Sequence, residues 1–166
     1  PHVSSIQPVG DPASLAEALD GLTVLPPVQG GQTRQASVRA GLEALDALPP
    51  EQKPDLVLVH DGARPYVSAA LVSAVVAALT EHPGAIPAVP VADTLKREKD
   101  GVIDGTVPRD HLFRAQTPQG FRFGLFLDLH RAAASLDATD DAALLGRSCD
   151  RRAGVACSSW RLPSLL

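Results

Sequence analysis

"LVLVHDGARPYV", residues 56–67, is the stretch on which the reading of this chain turns. Leu56 to Val59 run without polar alternation, as in a strand covered on both faces. The run ends on His60 and Asp61, and Arg64 follows three positions on. In open α/β sheets, ligands bind beyond the carboxyl ends of the strands. A carboxylate there can hold a hard divalent cation, and an arginine beside it can take a phosphate. The same residues also fit a plain turn, with Asp61 accepting backbone hydrogen bonds and Arg64 in a surface ion pair. His60 is expected to hydrogen-bond inside that turn.

On either side, short apolar runs alternate with helical patterns. "HVSSIQP" and "LTVLPPV" read as short strands ended by prolines. Between them, "DPASLAEAL" reads as a helix with Asp11 as N-cap and Pro12 in the first position. "GGQTRQASVRAGLEAL" is a glycine turn entering a helix, with Val38, Leu42 and Leu45 on one face. Ser68 caps the helix "AALVSAVVAAL", whose Leu71, Val72, Val75, Val76 and Leu79 form its apolar side. "GAIPAVPV" is the next strand, and two extended runs flank the turn "EKDG". This order predicts an α/β, Rossmann-like fold with a mostly parallel sheet and flanking helices.

Composition limits the function. The 166 residues suit one domain with a real core, at 45% hydrophobic and 20% charged. A net charge of −4 gives no general attraction to nucleic acid or anionic membrane, and no apolar run reaches the length of a membrane span. No signal peptide is visible, and Cys149 and Cys157 match no metal spacing, so a reducing cytoplasmic setting is expected. The histidines show no ligand spacing. The sequence opens on Pro1 and contains no methionine, so an upstream portion is expected.

Five motifs occur in order: "GGQTRQASV" (30–38), "HDGARP" (60–65), "VADTLKR" (91–97), "VPRDHLFRAQTPQGF" (107–121) and "TDDAALL" (139–145). As a set they resemble the methylerythritol-phosphate cytidylyltransferase family, over about residues 1–146. That resemblance implies transfer of a cytidylyl group from CTP to 2-C-methyl-D-erythritol 4-phosphate, releasing pyrophosphate, in non-mevalonate isoprenoid biosynthesis. Two other readings are the same chemistry on ribitol 5-phosphate and an inactive dimerisation module.

The resemblance also implies roles. Asp61 is the carboxylate nearest Mg²⁺ and substrate, and Arg64 supports that turn and its phosphate environment. Gly31, Gln32 and Ser37 contact the cytosine; a glycine turn into a capped helix explains the same residues locally. Residues 91–113 are a projecting β-arm exchanged with a partner subunit in a homodimer. Thr94 and Arg109 on it contact the sugar phosphate, with Lys96 assisting, whereas by itself the arm reads as a solvated hairpin. Thr117 contacts substrate or closes the turn before Pro118. Thr139 and Asp140 lie near the substrate or cap a helix.

Two departures from the family pattern accompany these matches. The family's opening strand and its glycine- and arginine-rich triphosphate loop have no counterpart, so this chain alone is expected to be inactive and marginally stable. Either a gap at the sheet centre or a drawing together of the flanking strands is expected. Residues 147–166 form a divergent tail without lysine.

Overall fold

The computed structural model of the protein describes residues 3–133, so Thr139, Asp140 and the tail lie outside the described residues. Among the described residues, nine strands and four α-helices follow in chain order: β1 (Val9–Gly10), α1 (Pro12–Ala18), β2 (Val28–Gln29), α2 (Arg34–Asp46), β3 (Leu56–Val59), α3 (Ala69–Ala78), β4 (Gly84–Ala85), β5 (Ala88–Pro90), β6 (Leu95–Lys99), β7 (Val102–Val107), β8 (Phe113–Ala115), β9 (Gln119–Arg122) and α4 (Phe123–Ala132).

Local chemistry sets the helix starts. Asp11 caps α1 by accepting from Ser14 N–H at 3.0 Å, Thr33 caps α2 through Ala36 N–H at 3.1 Å, and Ser68 caps α3 through Leu71 N–H at 3.2 Å. Asp100 and Gly101 both have positive φ, the geometry of the tight hairpin turn that joins β6 to β7.

β3 pairs antiparallel with β9, which also pairs antiparallel with β4, so β3 and β4 run in the same direction. The two faces of this sheet carry separate cores. Val57 and Val59 join Leu42, Leu45, Phe121, Phe126 and Leu127 under α2 and α4. Leu56 and Leu58 join Val75, Leu79 and Ala85 under α3. The apolar run of β3 thus serves both cores, each with alternate residues. Phe121 and Phe126 stack at 3.9 Å between ring centroids, which fixes α4 to β9.

Three expectations need correction. The sheet is mixed rather than mostly parallel. Strands β1 and β2 are parallel, but the other ladders, β3–β9, β4–β9, β5–β8 and β6–β7, are antiparallel. Regular pairing starts only where the runs "HVSSIQP" and "LTVLPPV" end, between Val9–Gly10, just past the first, and Val28–Gln29 at the end of the second. Isolated bonds precede this, from Leu25 N–H to Ile6 O and from Val28 N–H to Pro8 O, but Pro8, Pro26 and Pro27 have no N–H to continue a ladder. "GAIPAVPV" splits at Ile86–Pro87 into β4, which joins β9, and β5, which joins β8. Among the described residues no ladder joins β1 or β2 to β3, as in the gap rather than the drawn-together arrangement.

A surface cluster ties α4 to α2. Arg131 donates to Glu43 at 3.0 and 2.5 Å and to Asp46 at 2.8 Å, and Lys53 donates to Asp46 at 2.8 Å. The hydrogen bond from Arg131 holds the Glu43 carboxyl below its ordinary range, and those from Lys53 and Arg131 do the same for Asp46. A carboxylate depressed in the folded state contributes stability above its unfolded pKa and loses it as pH falls through the folded value. Arg131→Gln is therefore expected to lower the melting temperature slightly near neutral pH. The gap from wild type should shrink below about pH 4 and in about 1 M salt. A difference that persists unchanged at low pH would assign the effect to the packing of the arginine stem.

Candidate active site at the carboxyl end of β3

Three segments meet where β3 ends: residues 60–64, residues 116–117 leading into β9, and the start of α2. Arg64 N–H bonds back to Asp61 O at 3.0 Å, closing a turn. On the side chains, Arg64 Nε donates to Asp61 Oδ2 at 3.2 Å and Arg64 Nη1 to Gln116 Oε1 at 2.7 Å. Asp61 N–H donates to Thr117 Oγ1 at 3.3 Å. Thr117 Oγ1 and His60 Nδ1 are 2.9 Å apart, and His60 Nε2 lies 2.8 Å from the Arg64 carbonyl. Gln116 is fixed in turn, since its N–H donates to Pro87 O at 2.8 Å.

Arg34 closes the other side. Its Nε lies 3.5 Å from Asp61 Oδ1. The sequence reading passed over this residue, although a signal was present. A cation in the first turn of a helix opposes the helix dipole, so an arginine just after a glycine turn calls for a nearby anion. The Asp61, Arg34 and Arg64 side chains keep 34%, 39% and 46% of their exposure. Ion pairs so open to water stabilise a fold by about 0–1 kcal/mol each. Two guanidinium groups thus flank one carboxylate at the end of β3.

The glycine turn is organised by its own side chains. Gly31 N–H donates to Ser37 Oγ at 3.0 Å, and Ser37 donates to Thr33 O at 3.0 Å. A Cβ on Gly31 would fall 2.4 Å from Ala36 Cβ, so the entry into α2 already demands glycine there. Gln32 is exposed at the turn. Through Arg34 this segment and Asp61 belong to one cluster.

Thr94 and Arg109 stand elsewhere. The pairing of Leu95 with Val107 sets both at the root of the β6–β7 arm, where Arg109 Nη1 donates to Ala92 O. Lys96 Nζ donates across the hairpin to Thr106 Oγ1 at 2.7 Å. No hydrogen bond or ion pair joins Thr94 or Arg109 to the Asp61 cluster among the described residues.

No group of three or more His, Cys, Asp or Glu side chains is placed to hold a metal ion among the described residues. A cation at this site would have Asp61 as its protein carboxylate and complete its shell from water and phosphate oxygens, a mode that suits Mg²⁺. Asp61 fits that part, partly exposed at a strand end, with Oδ1 the less tightly held of its two oxygens.

Fold and cluster together define an α/β domain with a carboxylate held between two guanidinium groups at the carboxyl end of a strand. The chain belongs to the 2-C-methyl-D-erythritol 4-phosphate cytidylyltransferase family, whose pattern it matches over residues 4–157. It is 61% identical over 145 residues to "Bifunctional enzyme IspD/IspF" of Gluconobacter oxydans, covering 87% of this chain and 37% of the relative. With the protein of the same description from Granulibacter bethesdensis it is 55% identical over 146 residues, covering 88% and 38%. The chain thus spans less than two-fifths of the length of these relatives. Among solved structures, 2-C-methyl-D-erythritol 4-phosphate cytidylyltransferase from Thermus thermophilus superposes with a TM-score of 0.74 at 37% identity, over 88% of this chain and 68% of that one.

Proposed function

We propose that this domain joins CTP and 2-C-methyl-D-erythritol 4-phosphate, giving CDP-methylerythritol and pyrophosphate. The observation that carries the proposal is the Asp61 carboxylate set between Arg34 and Arg64 at the end of β3, in a chain of this family. An oxygen of the sugar phosphate attacks the α-phosphorus of CTP, the new P–O bond forms, and the bond to the pyrophosphate oxygen breaks. The nucleophile is already an anion, so no general base is needed. What the protein contributes is the placement of two polyanions and a preorganised charge at the reacting phosphorus.

Asp61 is the residue to hold Mg²⁺, which when bound with phosphate oxygens neutralises charge on them. Arg64, spanning Asp61 and Gln116, keeps the carboxylate turned toward the site, and Arg34 presents positive charge from the nucleotide side. Gly31, Gln32 and Ser37 shape the turn that receives the cytosine. A reaction consuming CTP is placed in the cytoplasm, where nucleoside triphosphates are made.

The arm supplies the second substrate's contacts. Val102 and Ile103 near its tip are each 67% exposed, and an isolated two-stranded hairpin is marginal in water. Docking of the arm on a second copy of the chain covers those residues and brings Thr94 and Arg109 toward the sugar phosphate. Pyrophosphate release with CTP and, separately, methylerythritol phosphate or ribitol 5-phosphate tests the function; turnover only with the ribitol ester would overturn it. Arg109→Lys is expected to raise KM for the sugar phosphate more than for CTP, by about 1–3 kcal/mol of lost bidentate contact. Equal kinetics with both substrates would return Arg109 to its hydrogen bond at the arm root.

A further inference from the structure

His60 touches both sides of the candidate site and the reaction assigns it no part. Its two ring nitrogens have partners of different kinds. Nε2 lies 2.8 Å from the Arg64 carbonyl oxygen, which can only accept, so Nε2 carries the hydrogen. In the neutral ring Nδ1 is then an acceptor, and the group 2.9 Å from it, the Thr117 hydroxyl, must donate. The same hydroxyl oxygen accepts from Asp61 N–H at 3.3 Å. Every proton in this chain of bonds has one direction: Asp61 N–H to Thr117 Oγ, Thr117 O–H to His60 Nδ1, and His60 Nε2–H to Arg64 O.

We infer that His60 is a positioning residue, which in the Nε2–H tautomer locks residues 61–64 against Thr117 and so aims Asp61 and Arg64. The inference rests on the function proposed above. Three links carry the lock. The histidine holds the carbonyl of Arg64, whose guanidinium is held by Asp61 and Gln116. It also holds the hydroxyl that receives the Asp61 amide. Gln116 and Thr117 are consecutive, so both ends of the 60–64 turn are pinned to one short segment leading into β9. A ring in this position needs no contact with substrate to matter, because a displacement of about 1 Å in reacting groups can lower a rate a hundredfold.

Nitrogen NMR of the histidine-labelled protein reads the tautomer directly, at a pH above the ordinary histidine range, with His60 assigned by its loss in His60→Gln. A pyrrole-like Nε2 and a pyridine-like Nδ1 are expected in the wild type and in Thr117→Ser, which keeps a hydroxyl. In Thr117→Val the Arg64 carbonyl still calls for Nε2–H, so the tautomer is expected to persist while the Nδ1 resonance shifts on losing its hydrogen-bond donor. An Nδ1–H ring or a mixture of tautomers in the wild type, or an Nδ1 resonance unmoved by Thr117→Val, overturns the inference whatever the activity. On turnover, His60→Phe is expected to lower kcat about tenfold to a hundredfold with little change in KM for CTP. His60→Gln, which keeps a donor for the Arg64 carbonyl, should fall between, and Thr117→Val with His60→Phe should be no slower than the slower single variant. Wild-type kcat in His60→Phe overturns the positioning role and leaves the proposed function standing. A full-length wild type that releases no pyrophosphate overturns the proposed function, and the tautomer measurement then decides the lock alone.

Discussion

Asp61→Asn is expected to lower pyrophosphate release in the full-length protein by about a hundredfold or more while hardly moving the melting temperature. The two halves of this expectation come from different magnitudes. Asp61 is partly exposed, and its pairs with Arg34 and Arg64 are surface pairs, each contributing about 0–1 kcal/mol to stability. The backbone bond from Asp61 N–H to Thr117 Oγ1 does not depend on the side chain. The fold should therefore tolerate asparagine well.

Chemistry should not. A hundredfold loss corresponds to about 2.7 kcal/mol of transition-state stabilisation. Removing the carboxylate between Arg34 and Arg64 takes away the proposed metal anchor and the charge that draws both guanidinium groups toward it. Their aim at the phosphates then changes as well. Turnover and thermal melting measured side by side separate the effects. An Asn variant that stays within a few fold of wild type at limiting Mg²⁺ would mean that Asp61 only closes its turn.

Short-range chemistry was legible in the sequence. Asp11 and Ser68 cap helices because the side chain and the N–H that it receives lie three residues apart. The Asp100–Gly101 turn and the apolar run of β3 likewise follow from neighbouring residues. Longer-range arrangements were not. Nothing in "QGFR" marks β9 as a strand; Leu56 to Val59 on one side and Gly84 and Ala85 on the other impose it. That strand is what makes the sheet mixed. Within the site, "HDGARP" located Asp61 and Arg64, whereas Arg34 and the double bonding of His60 depend on segments 27 and 57 residues away in the chain from Asp61 and His60. The same distance explains Thr94 and Arg109. Strand pairing fixes them at the arm root, and what the arm meets beyond itself is not written in its own sequence.

Gly120→Val is expected to be severely destabilising, at about 3 kcal/mol or more. Gly120 lies in β9 opposite Leu58 and Ala85, where the strand passes beneath α3. A Cβ there would stand 2.6 Å from Val75 Cγ1, 2.9 Å from Leu79 Cδ1 and 3.0 Å from Leu58 Cδ2. Val75 and Leu79 are 0% and 1% exposed, so neither has open space to retreat into. Glycine in a strand is ordinarily less favourable than alanine by about 0.5–1 kcal/mol, which sets the most that Gly120→Ala could gain. Overpacking of this kind typically destabilises by about 1–3 kcal/mol, so the clash wins even for alanine, and valine adds two more carbons to it. Of a typical domain stability of roughly 5–15 kcal/mol, such a loss is a large part. Relief should come from the other side of the contact: adding Val75→Ala to Gly120→Ala should recover part of the loss, a coupling that a double-mutant cycle of chemical denaturation would measure. The displacement should also reach the site, because Thr117 stands two residues before β9 and holds Asp61 N–H and His60. If Gly120→Val unfolds at the wild-type denaturant concentration, β9 does not press on α3 as described, and the link from core to site fails with it.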